Sequence, residues 1–118
     1  MTDCSSGDVV IVPFPFTDLR TTKRRPALVL ARVQSPALPA LVVLAMITSQ
    51  IEAEVLVGDY LLKAWKDAGL LHPSRVRLAK MVSLEARMIL QKLGSLGQAD
   101  RRGARRELRK VFADWIHA

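Results

Sequence analysis

The sequence predicts a mainly β protein with some helix (α+β), built as a small β-barrel decorated by a short middle helix and a C-terminal amphipathic helix. Several short apolar runs are separated by prolines or polar turn residues, and two segments have apolar side chains at helical spacing. The length of 118 residues suits one domain. We therefore expect one domain over residues 1–118, with residues 98–118 forming a C-terminal helix.

The first strand is predicted at residues 9–16, which are apolar except for Pro13 and Pro15. Proline cannot donate to a β-ladder, so these two residues favour an edge strand or a bulged strand end. Residues 17–25 are rich in Thr, Asp, Lys and Arg, which is typical of a flexible loop between two strands. Pro26 is expected to close this loop.

Continuous aliphatic runs at residues 27–31 and 40–47 predict two strongly buried strands. Because the apolarity does not alternate, both faces of these strands should be covered. A short strand is predicted at residues 54–57. Further short extended segments, each with apolar residues set among basic ones, are predicted at residues 75–78, 82–84 and 88–93.

Two segments have the periodicity of helices. Residues 59–70 carry apolar side chains three or four positions apart and end near Gly69, which predicts a short amphipathic helix. From Gln98 onward, a second apolar stripe is surrounded by arginines and predicts a longer helix. We expect the stripe to pack this helix on the barrel through Ala104, Leu108, Val111, Phe112, Trp115 and Ile116.

The net charge of +7 predicts a surface that attracts phosphates, acidic lipids or an acidic protein, and charge alone does not choose among them. The single cysteine, Cys4, excludes an intramolecular disulfide and a cysteine metal cluster. The N-terminus does not have the pattern of a signal peptide, and no apolar run reaches the roughly 18 residues that span a bilayer. We therefore expect a soluble cytoplasmic protein with no membrane partner.

The sequence lacks the motifs of common cofactor sites, namely a Walker-type glycine loop, HExxH, Cys-x-x-Cys and a serine nucleophile elbow. We therefore expect neither a metal nor a cofactor. His72 is interpreted as a loop residue beside Pro73, and His117 lies at the C-terminus. A mechanism that uses two histidines consequently has little support.

Arg25 and Thr48 are the strongest candidates for a site. The residue before a proline is driven into extended geometry, so Arg25 should point away from a strand start, where its planar guanidinium can bind two phosphate oxygens. The alternative is a solvated loop arginine. Thr48 places a hydroxyl at the end of the most apolar strand, and its spacing alone favours a strand-end cap or turn residue.

Several ordered segments together resemble the PemK/MazF family of toxins. They are GDVVIVPFPFTD at positions 7–18, KRRPALVL at 23–30, AMITSQ at 45–50, AGL at 68–70, PSRVRL at 73–78 and KLGSL at 92–96. The resemblance implies an SH3-like barrel, a homodimer, metal-independent cleavage of single-stranded RNA, and inhibition by a small acidic antitoxin protein. It also implies that Arg25 and Thr48 are the catalytic residues.

In such a reaction the 2'-hydroxyl of the RNA attacks the adjacent phosphorus, and Arg25 stabilises the charge that develops. Asp18 is the first candidate for an auxiliary carboxylate and Glu52 the second. Further RNA contacts are predicted at Lys23, Arg24, Ser49, Gln50, Arg75 and Arg77. The cleavage sequence does not follow from these residues.

Two other functions compete with this hypothesis. The CcdB branch of the same superfamily is similar in shape and binds DNA gyrase without catalysis, but the presence of both Arg25 and Thr48 argues against it. The second is a basic barrel that binds RNA or DNA without cutting, with the arginine-rich helix of residues 98–118 as its main contact.

Overall fold

The computed structural model describes residues 3–14 and 23–117. The strands in this part of the chain are β1 (Asp8–Phe14), β2 (Lys23–Ser35), β3 (Leu38–Thr48), β4 (Asp59–Leu61), β5 (Arg75–Glu85) and β6 (Gln91–Ser95). A single 3-10 turn at Ala86–Met88 joins β5 to β6, and the chain ends in helices α1 (Gln98–Val111) and α2 (Ala113–Ile116). None of the helices described is long and apolar enough to cross a membrane.

The six strands form one antiparallel sheet in the order β4-β5-β3-β2-β1-β6. This confirms the prediction of a mainly β fold with added helix. No ladder joins β4 to β6 within the described residues, so the pairing there is that of an open, bent sheet and not of a fully closed barrel. Bending comes from β-bulges, which allow a strand to turn while its pairing continues.

The predicted loop at residues 17–25 is wrong at its last three positions, because β2 already begins at Lys23. Arg25 pairs with Val12 and Arg24 with Pro13 in the β1–β2 ladder. A residue before proline prefers extended backbone, so the basic run is compatible with a strand. The rest of the predicted loop lies outside the described residues.

β5 is one strand with a bulge, where two separate segments were predicted. Ala45 pairs with Met81 and the next residue, Met46, pairs with Arg77, so residues 78–80 have no partner in this ladder. The predicted strand at residues 54–57 is wrong as well, since the strand in this region is β4. Gly58 has φ +92°, a backbone conformation that favours glycine and turns the chain into β4.

The predicted middle helix at residues 59–70 is wrong. The segment starts as β4, in which Tyr60 pairs with Val76, and then folds into turns such as Leu70 N to Trp65 O at 3.1 Å. Gly69 has φ +87°, and a Cβ there would collide with the Leu93 carbonyl. The helical spacing of apolar residues here arises from a strand followed by turns that pack on β6.

Two apolar clusters stabilise the sheet, as expected for strands with both faces covered. One contains Val9, Leu28, Ala45, Ile47, Tyr60 and Val76, with Ala104 of α1. The other contains Val10, Val12, Ala27, Val29, Val42 and Leu44, with Ala86 and Ile89. The odd and even positions of β1 and β2 therefore serve different clusters, as the period of two in a strand requires.

α1 packs on the first cluster through Ala104, Leu108 and Val111. Gly103 lies so close to the ring of Tyr60 that a Cβ would overlap it, so the glycine permits this packing. The predicted apolar stripe is wrong at its C-terminal end, since α1 ends at Val111 and Trp115 in α2 is 84% exposed. α1 therefore packs on the first cluster as far as its last residue, Val111.

Candidate functional site

The strand register brings Arg25 and Thr48 to neighbouring positions. In the β2–β3 ladder, Ala27 pairs with Met46, and continuing that register by two residues places Arg25 opposite Thr48. On the outer sides, Arg25 pairs with Val12 and Thr48 pairs with Arg75. Directly paired residues project to the same face of a sheet, so these side chains form one cross-strand row.

An open groove of ≈ 980 Å³ lies at this end of the sheet. Of the predicted site residues, it is lined by Arg24, Arg25, Thr48, Ser49, Gln50 and Arg77. The structure therefore brings together residues that are far apart in the sequence. Apolar side chains such as Ile11, Ile47 and Leu70 complete the wall.

Among the residues that the structure describes, three further predicted site residues do not line the groove. Lys23 is exposed at the start of β2, and Glu52 is exposed in the turn that follows β3. Arg75 is buried, with a side chain only 7% exposed. Asp18 lies outside the described residues.

Polar groups that sequence reasoning missed also line the groove, and they are His72, Ser74, Lys80 and Gln91. His72 is held by its carbonyl, which accepts a hydrogen bond from Ser74 Oγ at 2.7 Å. Lys80 belongs to the unpaired bulge of β5, which no local sequence signal marks as a break in pairing. These four residues come from separate segments of the chain, and the tertiary fold brings them to the groove.

The hydroxyl of Thr48 has a defined orientation. Its Oγ1 accepts a hydrogen bond from the backbone N–H of Gln50 at 3.1 Å, a short-range contact typical of Ser and Thr in turns. Because the oxygen is the acceptor, the hydroxyl hydrogen remains available for donation to a ligand. Thr48 is therefore a strand-end turn residue whose hydroxyl can also donate a hydrogen bond to a ligand in the groove.

The guanidinium groups of Arg24 and Arg25 belong to exposed residues, and neither makes an ion pair with an acidic side chain among the described residues. An arginine without a protein counter-charge at a groove can bind an anion without first breaking a salt bridge. The site therefore suits a phosphate group.

Arg75 and Arg77 have different surroundings. Arg75 donates to Ala53 O at 3.2 Å and to Ile51 O, and its Nη1 lies 3.6 Å from Asp59 Oδ2. The donors of Arg75 are therefore directed to protein oxygens in a buried site, and its predicted contact with RNA stays a prediction. Arg77 is 14% exposed and lines the groove, with Nη2 bonded to Asp59 Oδ2 at 3.3 Å.

Asp100 holds the turn that supports the groove wall at Gly69 and Leu70. Its carboxylate accepts hydrogen bonds from Tyr60 OH at 2.7 Å, Ala64 N at 2.9 Å and Lys63 N at 3.1 Å. Burial alone would raise the pKa of Asp100, but these bonds outweigh it and lower the pKa. Burial, together with the bond to Asp100, raises the pKa of Tyr60 to about 12.

The buried Asp8 lies in β1, next to β6, which forms the edge of the sheet farthest from β4. It accepts hydrogen bonds from Ser95 Oγ at 2.6 Å and Ser5 N at 2.8 Å, and Lys92 Nζ lies 3.4 Å away. Burial opposes ionisation, yet the pKa of Asp8 is lowered because the Ser95 and Ser5 bonds and the Lys92 charge favour the carboxylate. Asp8 therefore fixes β1 to β6.

Across residues 3–14 and 23–117, no three His, Cys, Asp or Glu side chains converge as a metal site requires.

Comparison with known proteins gives one consistent result. Residues 5–112 match the family model of the PemK-like, MazF-like toxin of type II toxin-antitoxin systems. A search of the curated proteins gives no match. Similar solved structures come from mycobacteria and from Deinococcus radiodurans, and all of those described below share less than a quarter of their residues with this chain.

A mycobacterial endoribonuclease in complex with its cognate antitoxin is 18% identical, with a TM-score of 0.68 over 94% of this chain and 96% of its own. The Mycobacterium tuberculosis toxin MazF-mt6 is 21% identical, with a TM-score of 0.66 over 90% of this chain and 96% of its own. A MazE–MazF structure from Deinococcus radiodurans is 21% identical, with a TM-score of 0.70 over 93% and 96%. These likenesses show a shared fold. With the family match over most of its length, the chain belongs to the PemK/MazF toxin family of type II toxin-antitoxin systems.

Proposed function

We propose that this protein is an endoribonuclease toxin that cleaves single-stranded RNA without a metal ion, with Arg25 and Thr48 as its catalytic residues. The observation that carries the proposal is the placement of both residues on neighbouring strands at one groove. A similar solved structure is described as an endoribonuclease bound to its antitoxin, which supports the same class of activity.

In the proposed reaction, the 2'-oxygen of a ribose forms a bond to the adjacent phosphorus while the bond from phosphorus to the 5'-oxygen breaks. The 2'-hydroxyl loses its proton to a base, and the leaving 5'-oxygen gains a proton. The products are a 2',3'-cyclic phosphate and a free 5'-hydroxyl. The nucleophile belongs to the substrate, so the protein must mainly position the RNA and stabilise charge.

Arg25 stabilises the extra negative charge on the phosphorus oxygens in the transition state. Its guanidinium stays protonated at any ordinary pH, since its pKa is above about 12, so charge stabilisation suits it better than proton abstraction. Thr48 donates its hydroxyl hydrogen to a phosphate oxygen or orients the 2'-hydroxyl. Asp18 and Glu52 remain the proposed auxiliary carboxylates for proton transfer.

Polar and basic residues in and beside the groove extend RNA binding along the phosphate backbone. Arg24, Ser49, Gln50 and Arg77 line the groove, and Lys23 lies next to Arg24 in β2. Binding should weaken steeply with salt, because each phosphate contact releases condensed counterions. The acidic antitoxin of this family would compete for the same basic surface by charge complementarity.

The proposed state of the protein is a cytoplasmic homodimer of one domain per chain, where both RNA and antitoxin are accessible. Solved relatives in complex with an antitoxin support the antitoxin as a partner. Sedimentation of the purified protein with and without antitoxin tests both assemblies. A monomer at micromolar concentration would contradict the dimer.

The decisive experiment incubates the protein with defined unstructured RNAs in EDTA and maps both new ends. A 2',3'-cyclic phosphate and a 5'-hydroxyl are expected, and Arg25→Ala should abolish the cuts. Arg87→Ala is the matched control, because Arg87 is exposed, pairs only with Glu85 among the described residues and does not line the groove. Full activity of folded Arg25→Ala protein would refute the assignment.

One observation favours a second candidate, a basic module that binds nucleic acid without cutting. The outer face of α1 exposes Arg102, Arg105, Arg106, Arg109 and Lys110, and Glu107 is the only acidic side chain paired with any of them in the described structure. Tight, salt-sensitive RNA binding with no cleavage in the same assay would select this candidate. RNA left whole while gyrase is trapped on DNA would select the CcdB-like function.

A further inference from the structure

We propose that Arg75 is a positioning residue for Thr48, acting through the segment that follows β3. This inference rests on the proposed catalytic role of Thr48. Arg75 sits opposite Thr48 in the β3–β5 ladder, and its side chain is 7% exposed. It is therefore buried beside the proposed catalytic hydroxyl and does not line the groove itself.

The guanidinium of Arg75 reaches across the ladder to the loop after Thr48. It donates to Ile51 O and, at 3.2 Å, to Ala53 O. A planar fork can bind two carbonyls at fixed separation, whereas a lysine ammonium cannot reproduce that geometry. The two contacts therefore hold the loop at two points close to the strand end.

A chain of backbone contacts connects this loop to the hydroxyl. Ala53 N donates to Gln50 O at 3.2 Å, and Gln50 N donates to Thr48 Oγ1 at 3.1 Å. The position of Gln50 thus determines where the Thr48 hydroxyl points. If Ala53 shifts, the contact to Gln50 and then the orientation of Thr48 shift with it.

Asp59 and Arg77 strengthen the same loop from its far end. Asp59 is 1% exposed in its side chain, lies 3.6 Å from Arg75 and 3.3 Å from Arg77, and accepts a bond from Leu56 N at 2.9 Å. Arg77 also donates to Glu54 O at 2.6 Å. Two guanidinium groups and one carboxylate therefore fix the loop from residue 51 to residue 56.

Burying the charged groups of Asp59, Arg75 and Arg77 to hold a surface loop opposes folding. Among the residues that the structure describes, Asp59 Oδ1 and Arg77 Nε are buried without a hydrogen-bond partner, and a buried charged group that lacks such a bond opposes folding. An apolar side chain at Arg75 would fill the same space at lower cost but would not fix the two carbonyls. The geometry of the loop is thus what the arginine provides.

The first test measures loop order without any RNA. Amide hydrogen exchange by NMR is compared between the wild type, Arg75→Lys and the control Arg87→Lys, which alters an arginine 71% exposed beyond β5. We expect faster exchange at Gln50 and Ala53 in Arg75→Lys only, with protection of the β2–β3 ladder retained. Unchanged exchange at Gln50 overturns the proposal. Should Arg75→Lys fail to fold, Asp59→Asn, which keeps the shape and removes the counter-charge, is expected to affect the same two amides.

The second test is kinetic. With an RNA whose cut site has been mapped, Arg75→Lys should lower kcat by about tenfold or more, because small misplacement of a catalytic group is costly, while KM and the salt dependence stay unchanged. A raised KM with a salt slope reduced by about 0.7 would identify Arg75 as a phosphate contact and overturn the proposal. Faster exchange with unchanged kcat also overturns it. A wild-type protein that cuts no RNA refutes the proposed function instead.

Discussion

Replacing Asp100 by alanine removes the carboxylate that ties α1 to the turn after β4. Asp100 is 2% exposed and accepts bonds from Tyr60 OH, Lys63 N and Ala64 N. The turn it holds continues into Gly69 and Leu70, which line the groove. Asp100→Ala therefore tests whether the helix and the groove wall are one cooperative unit.

The size of the effect follows from the donors left behind. A buried donor without an acceptor costs about 1–3 kcal/mol, and of the three donors the Lys63 N–H can recover a water because its residue is exposed. Two remaining donors give a loss of about 2–6 kcal/mol. A protein of 118 residues has a net stability of about 6–18 kcal/mol, so Asp100 accounts for a large fraction of it. The melting temperature should fall by about 8–24 °C.

The assay is thermal and urea unfolding followed by circular dichroism at pH 7. Asp67→Ala is the matched control, since Asp67 lies exposed in the same turn region and should change stability by less than about 0.5 kcal/mol. Because folding lowers the pKa of Asp100, its stabilising effect is present above the unfolded pKa near 4 and is lost as pH falls through the folded pKa. The difference in free energy of unfolding between the wild type and Asp100→Ala should therefore become smaller at acid pH. A loss below about 1 kcal/mol at pH 7 would refute this account.

Three further predictions concern activity and stability. Arg25→Ala and Thr48→Ala should each abolish cleavage of unstructured RNA while circular dichroism stays unchanged, and loss of the fold in either variant would contradict their placement at an exposed groove. Folding raises the pKa of Tyr60 to about 12, so the neutral phenol stabilises the folded state fully below pH 10. This stabilisation is lost as pH rises toward 12, and the free energy of unfolding measured with urea should fall by about 2–3 kcal/mol over that range. Tyr60→Phe should not show this loss of stability at alkaline pH. If its unfolding free energy depends on pH as that of the wild type does, the raised pKa of Tyr60 is excluded as the cause. Deleting residues 100–118 should unfold the protein in a thermal scan, because Ala104 and Leu108 cover the core, whereas a stable truncation that no longer binds RNA would favour the basic-module hypothesis.

Much of the sheet was predictable from local pattern. The apolar runs at residues 27–31 and 40–47 lie inside β2 and β3, and α1 begins at Gln98, where the apolar stripe begins. The middle segment was not predictable in the same way. A strand followed by turns places Tyr60, Leu62, Ala68 and Leu70 in the core at spacings that a helix would also produce.

The sequence by itself determined the basic charge, the strand-forming runs, the extended geometry of Arg25 before Pro26, and the ordered motifs that indicate the family. Only the tertiary structure decided which arginines serve the groove. Arg75 and Arg77 are two residues apart, yet the acceptors of Arg75 lie 22 and 24 positions away, so burial and partners depend on the path of a distant loop. The guanidinium groups of Arg75 and Arg77 have the same chemistry. Their surroundings place Arg75 in the protein interior and Arg77 at the groove wall.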